Sequence, residues 1–413
     1  MLSIFRRKQK SEEGTFVSTF GDAGSVIGCD GGRRYVGPVS PEWGVLFVVL
    51  SLLLIGSLMV YSASISLSDA SKYNVSTTHF LIRQVISIGV GMFAAVAVAM
   101  TPMNKWNKYA PWVFVLTIFL LLMVLVPGVG RKVNGASRWI PLGIFNLQVT
   151  ELMKVAALLY AASFTVRKQE FMHSFRKGFM PMGCAIGLVA ALVMIQPDLG
   201  ALIMIVAIAF GVLFIGGLNL KLFGGLLVFV VGVVVSIVLY SPWRMARVMA
   251  YLDPWEETNA LGKGYQLSHS LIAFGRGETT GVGLGDAIEK QHYLPEAHTD
   301  FIMAIIAEEL GFVGVIVVLL LFLWLIRRCF EIGRKAIRLD RVFSGLVAQG
   351  VAVWFGVQAF INVGVASGLL PTKGLTLPFV SYGGSALLSS LIAVALVLRV
   401  DYENKVILRG GSV

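Results

Sequence analysis

The sequence predicts an all-α, polytopic membrane protein of about ten transmembrane helices, and three observations predict it. The 413 residues are 56% hydrophobic and only 14% charged, whereas about a quarter of a soluble domain is charged. Apolar runs of roughly 18 to 25 residues, long enough to cross a bilayer, recur along almost the whole chain. Basic residues gather in alternate connections between these runs, as they do when every second loop faces the cytoplasm. A soluble multidomain protein is excluded.

The runs place spans near 44–64, 81–101, 109–127, 147–166, 179–196, 199–217, 220–241, 300–326, 344–366 and 382–400. A polar, Gly-rich tail over 1–43 precedes them. It has no short apolar stretch with a small-residue cleavage site near Met1, so the first span is expected to serve as the anchor. Gln196-Pro197-Asp198-Leu199-Gly200 divides the fifth span from the sixth, because proline and glycine stop a helix. A second tail is expected over 401–413, outside a transmembrane domain of 44–400.

With the N-terminus in the cytoplasm, 22 of the 34 Lys and Arg residues fall on the inner side, so both termini are expected there. Most of the +11 net charge is thereby assigned to ordinary basic loops, and no nucleic-acid partner is expected. Cys29, Cys184 and Cys329 have neither metal-ligand nor disulfide spacing.

The remaining cations are either inside spans or on the outer side. They include Arg131, Lys132 and Arg138 before the fourth span, Arg244, Arg247, Lys263, Arg276 and Lys290 in a 58-residue outer loop (242–299), and Lys373 before the tenth span. A loop that long among short connections usually has a function. Outward-facing cations either hold an anion such as phosphate or pair with acids such as Asp253, Glu256, Glu257 and Glu278.

Four constellations carry chemistry. Glu151 and Lys154 share a helix face inside the fourth span, either as a self-neutralising pair between helices or with Lys154 holding a phosphate that Glu151 orients. Asp300 ends Tyr293-Leu294-Pro295-Glu296-Ala297-His298-Thr299-Asp300, where it caps the eighth span or serves as a partly desolvated general base. His298 is a second candidate base, or a structural hydrogen-bonding group, while Glu308 and Glu309 further along are expected to pair with neighbours. The Pro- and Gly-rich run from Leu370 to Ser385, with Lys373, Ser381, Gly383 and Gly384, either cradles a phosphate or sugar or is a packed re-entrant turn. P-loop, zinc-helix and flavin motifs are absent, and the glycines from Gly275 to Gly285 read as a flexible or tightly turned loop.

The runs LPTKGLTLPFVSYGGS, YLPEAHTDFI, QVTELMK and PWRMARVMAYLDPW, in the order they occupy across residues 44 to 400, resemble the SEDS family (shape, elongation, division and sporulation). The Pro371-Thr372-Lys373-Gly374 wording is more similar to its division branch than to its elongation branch. One departure is Ala386, where family members often carry serine.

The resemblance implies a peptidoglycan glycosyltransferase that polymerises lipid II into β-1,4-linked glycan strands at the division septum of the bacterial inner membrane. It also implies a class B penicillin-binding protein as partner, with other division membrane proteins nearby. By motif, Asp300 matches the family's essential acid, and Glu151 and Lys154 match its polar pair. Arg244, Arg247 and Lys373 fall in matching motifs, and with His298, Ser381, Gly383 and Gly384 they form the expected substrate-binding set.

The implied chemistry is one inverting displacement with Asp300 as base. Lys154, the loop arginines, Lys373 or a divalent cation would stabilise the leaving pyrophosphate. Asp300, Glu296 and Glu151 offer oxygen ligands for such a cation, although no spacing demands one. Two alternatives stand beside this reading. A lipid II flippase would need polar groups along both leaflets, and a non-catalytic division scaffold would tolerate neutral replacement of Asp300, Glu151 and Lys154.

Overall fold

The computed structural model describes residues 40–68, 77–128, 130–133, 136–141, 146–172, 174–372 and 374–412. Among these, nine helices are long and apolar enough to cross a membrane, and Leu199–Ile215 is a shorter apolar helix beside them. They are α1 (Trp43–Ser64), α2 (His79–Met100), α3 (Met103–Leu125), α4 (Val149–Arg167), α5 (Met180–Ile195), α6 (Leu199–Ile215), α7 (Leu220–Leu239), α11 (Ile302–Arg338), α12 (Val342–Ala366) and α13 (Gly384–Leu408). One π-helical turn, Phe175–Phe179, leads into α5. The protein is a multi-pass helical membrane protein, as the apolar runs predict.

Burial separates the centre of the bundle from its rim. In α4, 83% of the apolar window is buried, against 67% in α12 and in α13 and none in α7. Helix α7 packs mainly against α6 and the helix that follows it, and none of its residues is buried, so it stands at the rim of the bundle. Helix α4 carries Glu151 and Lys154 into the centre, where an ionisable side chain needs a partner.

Three features depart from the sequence reading. Between α3 and α4 lies a small antiparallel sheet of β1 (Arg131–Val133), β2 (Ala136–Pro141) and β3 (Asn146–Gln148), an addition to the helical bundle. Its strands of three to six residues are too short to show a period. The 242–299 segment is not a plain loop: it folds into α8 (Pro242–Leu252), α9 (Glu257–Ala260) and α10 (Tyr265–Gly277). Finally, α13 runs on to Leu408, through most of the expected C-terminal tail. Glu403, 1% exposed, accepts from Arg399 Nε (2.8 Å) and the Met103 N–H (2.9 Å) and pairs with Arg341. Lys405 meets Asp401 (2.6 Å) and Glu42 (3.1 Å), so the last turns of α13 are packed beside the start of α1.

Helix α11 is interrupted. Gly311, at φ 66° and ψ −166°, divides a half-helix of Ile302–Leu310 from the longer remainder. That backbone conformation is open to glycine and strained for other residues.

Candidate functional site

Asp300 stands at the mouth of α11, at the opposite end of that helix from Arg328, which pairs with Glu42 at the start of α1. The approach from Tyr293 is a series of turns, with Glu296 at positive φ (58°) and its carbonyl accepting from the N–H groups of Thr299 (3.1 Å) and Phe301 (3.3 Å). Phe301 is the N-cap of α11 and no side chain caps it, which removes capping as the role of Asp300. The main chain of Asp300 is fixed from α12: Asn362 Nδ2 donates to the Asp300 carbonyl (2.9 Å) and to the Leu375 carbonyl (2.6 Å). One amide thus ties the carboxylate segment to the last loop.

That loop closes on the carboxylate itself. A Cβ on Gly374 would lie 2.8 Å from Asp300 Oδ2, so a residue without a side chain is needed for this approach. Burial raises the proton affinity of Asp300 most, and the charges of Glu296 and Asp198 raise it further, up to about 7. A carboxylate with that affinity is partly ionised at neutral pH and can accept a proton there.

Asp198 caps α6, accepting from the Ala201 N–H (3.0 Å), and also accepts from Gln148 Nε2 (3.2 Å). Arg138, from β2, donates to the carbonyls of Gln196 and Pro197, each at 2.9 Å, and lies 4.0 Å from Asp198. The helix break read in the sequence is therefore clamped by Arg138. Gly200 follows it and packs against Leu375 and Gly374. Neither Asp198 nor Asn362 is among the residues the sequence reading singles out. Trp354, Gln358 and Asn362, at i, i+4 and i+8 in an apolar run, are the overlooked signal.

Next to Asp300, His298 packs in an aromatic cluster, 4.8 Å from Phe80 and 5.6 Å from Tyr382 between ring centroids. Its carbonyl accepts from the Tyr382 N–H (2.9 Å). Burial pushes the imidazole below its ordinary value, against the opposing charge of Glu296. His298 is thus held neutral and packed, which favours its structural reading over that of a second base. Ser381 Oγ accepts from the Leu377 N–H (2.7 Å), and so turns the last loop back on itself. Gly383 caps α13, and Gly384 approaches Ser87 closely. Lys373 lies outside the described residues.

The geometry of Glu151 and Lys154 is that of a self-neutralising pair between helices. Lys154 is 1% exposed and Glu151 is 7% exposed. The ammonium is enclosed by Glu151 Oε2 (2.7 Å), Gln358 Oε1 (3.2 Å) and the Trp354 ring (5.0 Å). Glu151 also accepts from Ser389 (2.7 Å), and Gln358 Nε2 donates to the Thr376 carbonyl (2.7 Å). The pair is a buried strut beneath the last loop. Among the described residues, no group of three or more His, Cys, Asp or Glu side chains could hold a metal ion.

Arg244 and Arg247 sit on α8, their guanidinium groups 4.9 and 5.3 Å from the Trp243 ring centroid. Arg247 lines a cavity of about 530 Å³ with Lys263, Tyr265, Gln266, Pro295 and Thr372. The cavity is large enough for a lipid headgroup or sugar, and carries two cations. Pro295 and Thr372 come from the two segments that meet at Asp300 and Gly374. Arg244 does not line this cavity, and its Nε is buried with no hydrogen-bond partner among the described residues.

Residues 43–406 match the FtsW/RodA/SpoVE family model, described as a cell cycle protein. A probable peptidoglycan glycosyltransferase FtsW from Burkholderia thailandensis is 58% identical over 373 residues, covering 90% of this chain and 81% of that protein. Its counterpart from Polynucleobacter necessarius is 56% identical over 369 residues, covering 89% and 87%. Among solved structures, a chain from a peptidoglycan synthase complex that coordinates polymerization and crosslinking superposes with a TM-score of 0.68. It is 28% identical, with 89% of this chain and 99% of that one covered. The rod shape determining protein RodA of Thermus thermophilus gives a TM-score of 0.64 at 27% identity, covering 89% and 98%.

Proposed function

The chain belongs to the FtsW/RodA/SpoVE family of cell cycle proteins, and on that premise we propose that it is a peptidoglycan glycosyltransferase that polymerises lipid II with Asp300 as general base. The observation that carries the proposal is the Asp300 carboxylate, partly enclosed at the mouth of α11, raised to about 7 and pressed against the backbone of Gly374. The site lies on the extracytoplasmic side, at the division septum. The partner is a class B penicillin-binding protein working among other division membrane proteins.

Lipid II carries a sugar α-linked to pyrophosphate, and a β-linked product requires one inversion. The acceptor hydroxyl loses its proton to Asp300 as its oxygen bonds to the anomeric carbon. The bond from that carbon to the pyrophosphate breaks in the same displacement, and the lipid pyrophosphate leaves with the electron pair. Arg247 and Lys263, in the adjoining cavity, are the described cations suited to stabilising that charge. Each step above uses the chain's own side chains; among the described residues, no group of three or more His, Cys, Asp or Glu side chains is placed to hold a metal ion.

The test reconstitutes the chain with its penicillin-binding partner in vesicles and supplies labelled lipid II. Muramidase-sensitive glycan polymer is expected. Movement of label between leaflets without polymer would favour a flippase, and neither activity would favour a scaffold.

A further inference from the structure

A second ionic assembly lies behind Asp300 and takes no part in the chemistry above. Glu308 and Glu309, in the half-helix Ile302–Leu310, are 0% and 1% exposed. Isolated carboxylates there would be costly in low dielectric, and both are met by groups from the preceding extracytoplasmic segment. Lys290, itself 6% exposed, donates to Glu309 Oε1 (2.6 Å) and to Ser62 Oγ of α1 (2.8 Å), and Ser62 Oγ in turn donates to Glu309 (2.6 Å). The Lys290 carbonyl accepts from Ser66 Oγ (2.5 Å). Glu308 accepts from the N–H groups of Ile288 (2.8 Å) and Glu289 (3.3 Å), with Arg276 at 3.8 Å.

The same segment fills the break in α11. The N–H groups of Val282 and Gly283 donate to the carbonyls of Glu308 (2.9 Å) and Glu309 (3.1 Å), and those of Phe312 and Val313 donate to the carbonyls of Glu278 (3.0 Å) and Thr279 (3.2 Å). Backbone groups freed at membrane depth need such partners. The half-helix is therefore a short unit, held at its inner end by Lys290 and the 278–283 strap and bearing Asp300 just beyond its outer end.

We propose that Lys290, through its ion pair with Glu309, is a positioning residue for Asp300. It docks the extracytoplasmic segment and the half-helix against α1 and so fixes where the base stands; this rests on the reading of Asp300 given above. In this proposal the directional charged hydrogen bonds, rather than the volume they fill, set the position of the half-helix. Replacing both charges with methionine relieves the burial cost and still releases the register.

The experiment uses the full chain with its penicillin-binding partner and the variants Lys290→Met, Lys290→Arg, Lys290→Met/Glu309→Met and Asp300→Asn. Two quantities are read: polymer formed at saturating lipid II, and hydrogen–deuterium exchange over residues 293–301. In folded Lys290→Met and in the double variant, exchange rises over 293–301 while α12 and α13 stay protected, and the rate falls on the order of 10²-fold. Lys290→Arg recovers most of both. An inactive Asp300→Asn beside a fully active Lys290→Met or double variant overturns the proposal alone, as does unchanged protection of 293–301. Full activity in Asp300→Asn overturns the base reading and this proposal with it.

Discussion

The Asp300 carboxylate rests against the bare backbone of Gly374, so closely that a Cβ there would stand 2.8 Å from Oδ2. The atom in the way is the far end of a side chain, so the fold can absorb a methyl group by turning the carboxylate. The reaction cannot absorb it as easily, because a general base must lie within hydrogen-bond reach of the proton it takes. Gly374→Ala is therefore expected to leave the unfolding temperature nearly unchanged and to lower the polymerisation rate on the order of 10²-fold. Paired thermal unfolding and rate assays check this.

The pH dependence follows from the same carboxylate. Asp300 acts when ionised, and burial, then Glu296 and Asp198, raise its proton affinity to about 7. The polymerisation rate should therefore rise with pH through that region and fall as pH drops below it. Removing a like charge lowers the affinity, so Glu296→Gln should move the midpoint to lower pH. Rate profiles of both proteins across the neutral range measure this, and a midpoint unmoved or raised in the variant would count against it.

Asn362 joins the Asp300 carbonyl to the Leu375 carbonyl. Asn362→Leu would strip a donor from both, at a cost of about 1–3 kcal/mol for each buried group left unsatisfied. A lower denaturation midpoint with a reduced rate is expected, read by unfolding in detergent and by polymer yield.

The Glu151–Lys154 strut predicts a different pattern. Lys154→Met leaves a buried carboxylate uncompensated and should destabilise the fold by about 3–5 kcal/mol. Adding Glu151→Gln removes the orphaned charge and should restore much of that loss. A double-mutant cycle on thermal stability measures the coupling, and additive losses would argue against the enclosed pair.

Most of the fold was legible because long apolar runs are a statistical signal that needs no partner distant in sequence. The helices from Trp43–Ser64 to Gly384–Leu408 lie within a few residues of the predicted spans, apart from α11 and α13, which run well past them, and an earlier start to α3. The three-stranded sheet, the helices inside 242–299 and the break at Gly311 were not legible, since each depends on partners distant in sequence. The same division holds at the site. Asp300 announced itself as a charge at the mouth of a span, whereas Asp198, Asn362 and Gly374 acquire meaning only when α6, α12 and the last loop converge on it. Glu151 and Lys154 were visible as a pair, but spacing alone could not distinguish a strut from a ligand; enclosure by Gln358 and Trp354 does.

The most direct measurement compares glycan polymer made from labelled lipid II by the natural chain and by Asp300→Asn, each with its penicillin-binding partner and with crosslinking blocked. Matched unfolding curves establish that the variant is folded. The account predicts polymer from the natural chain and none from the variant. Undiminished polymer from folded Asp300→Asn would contradict it.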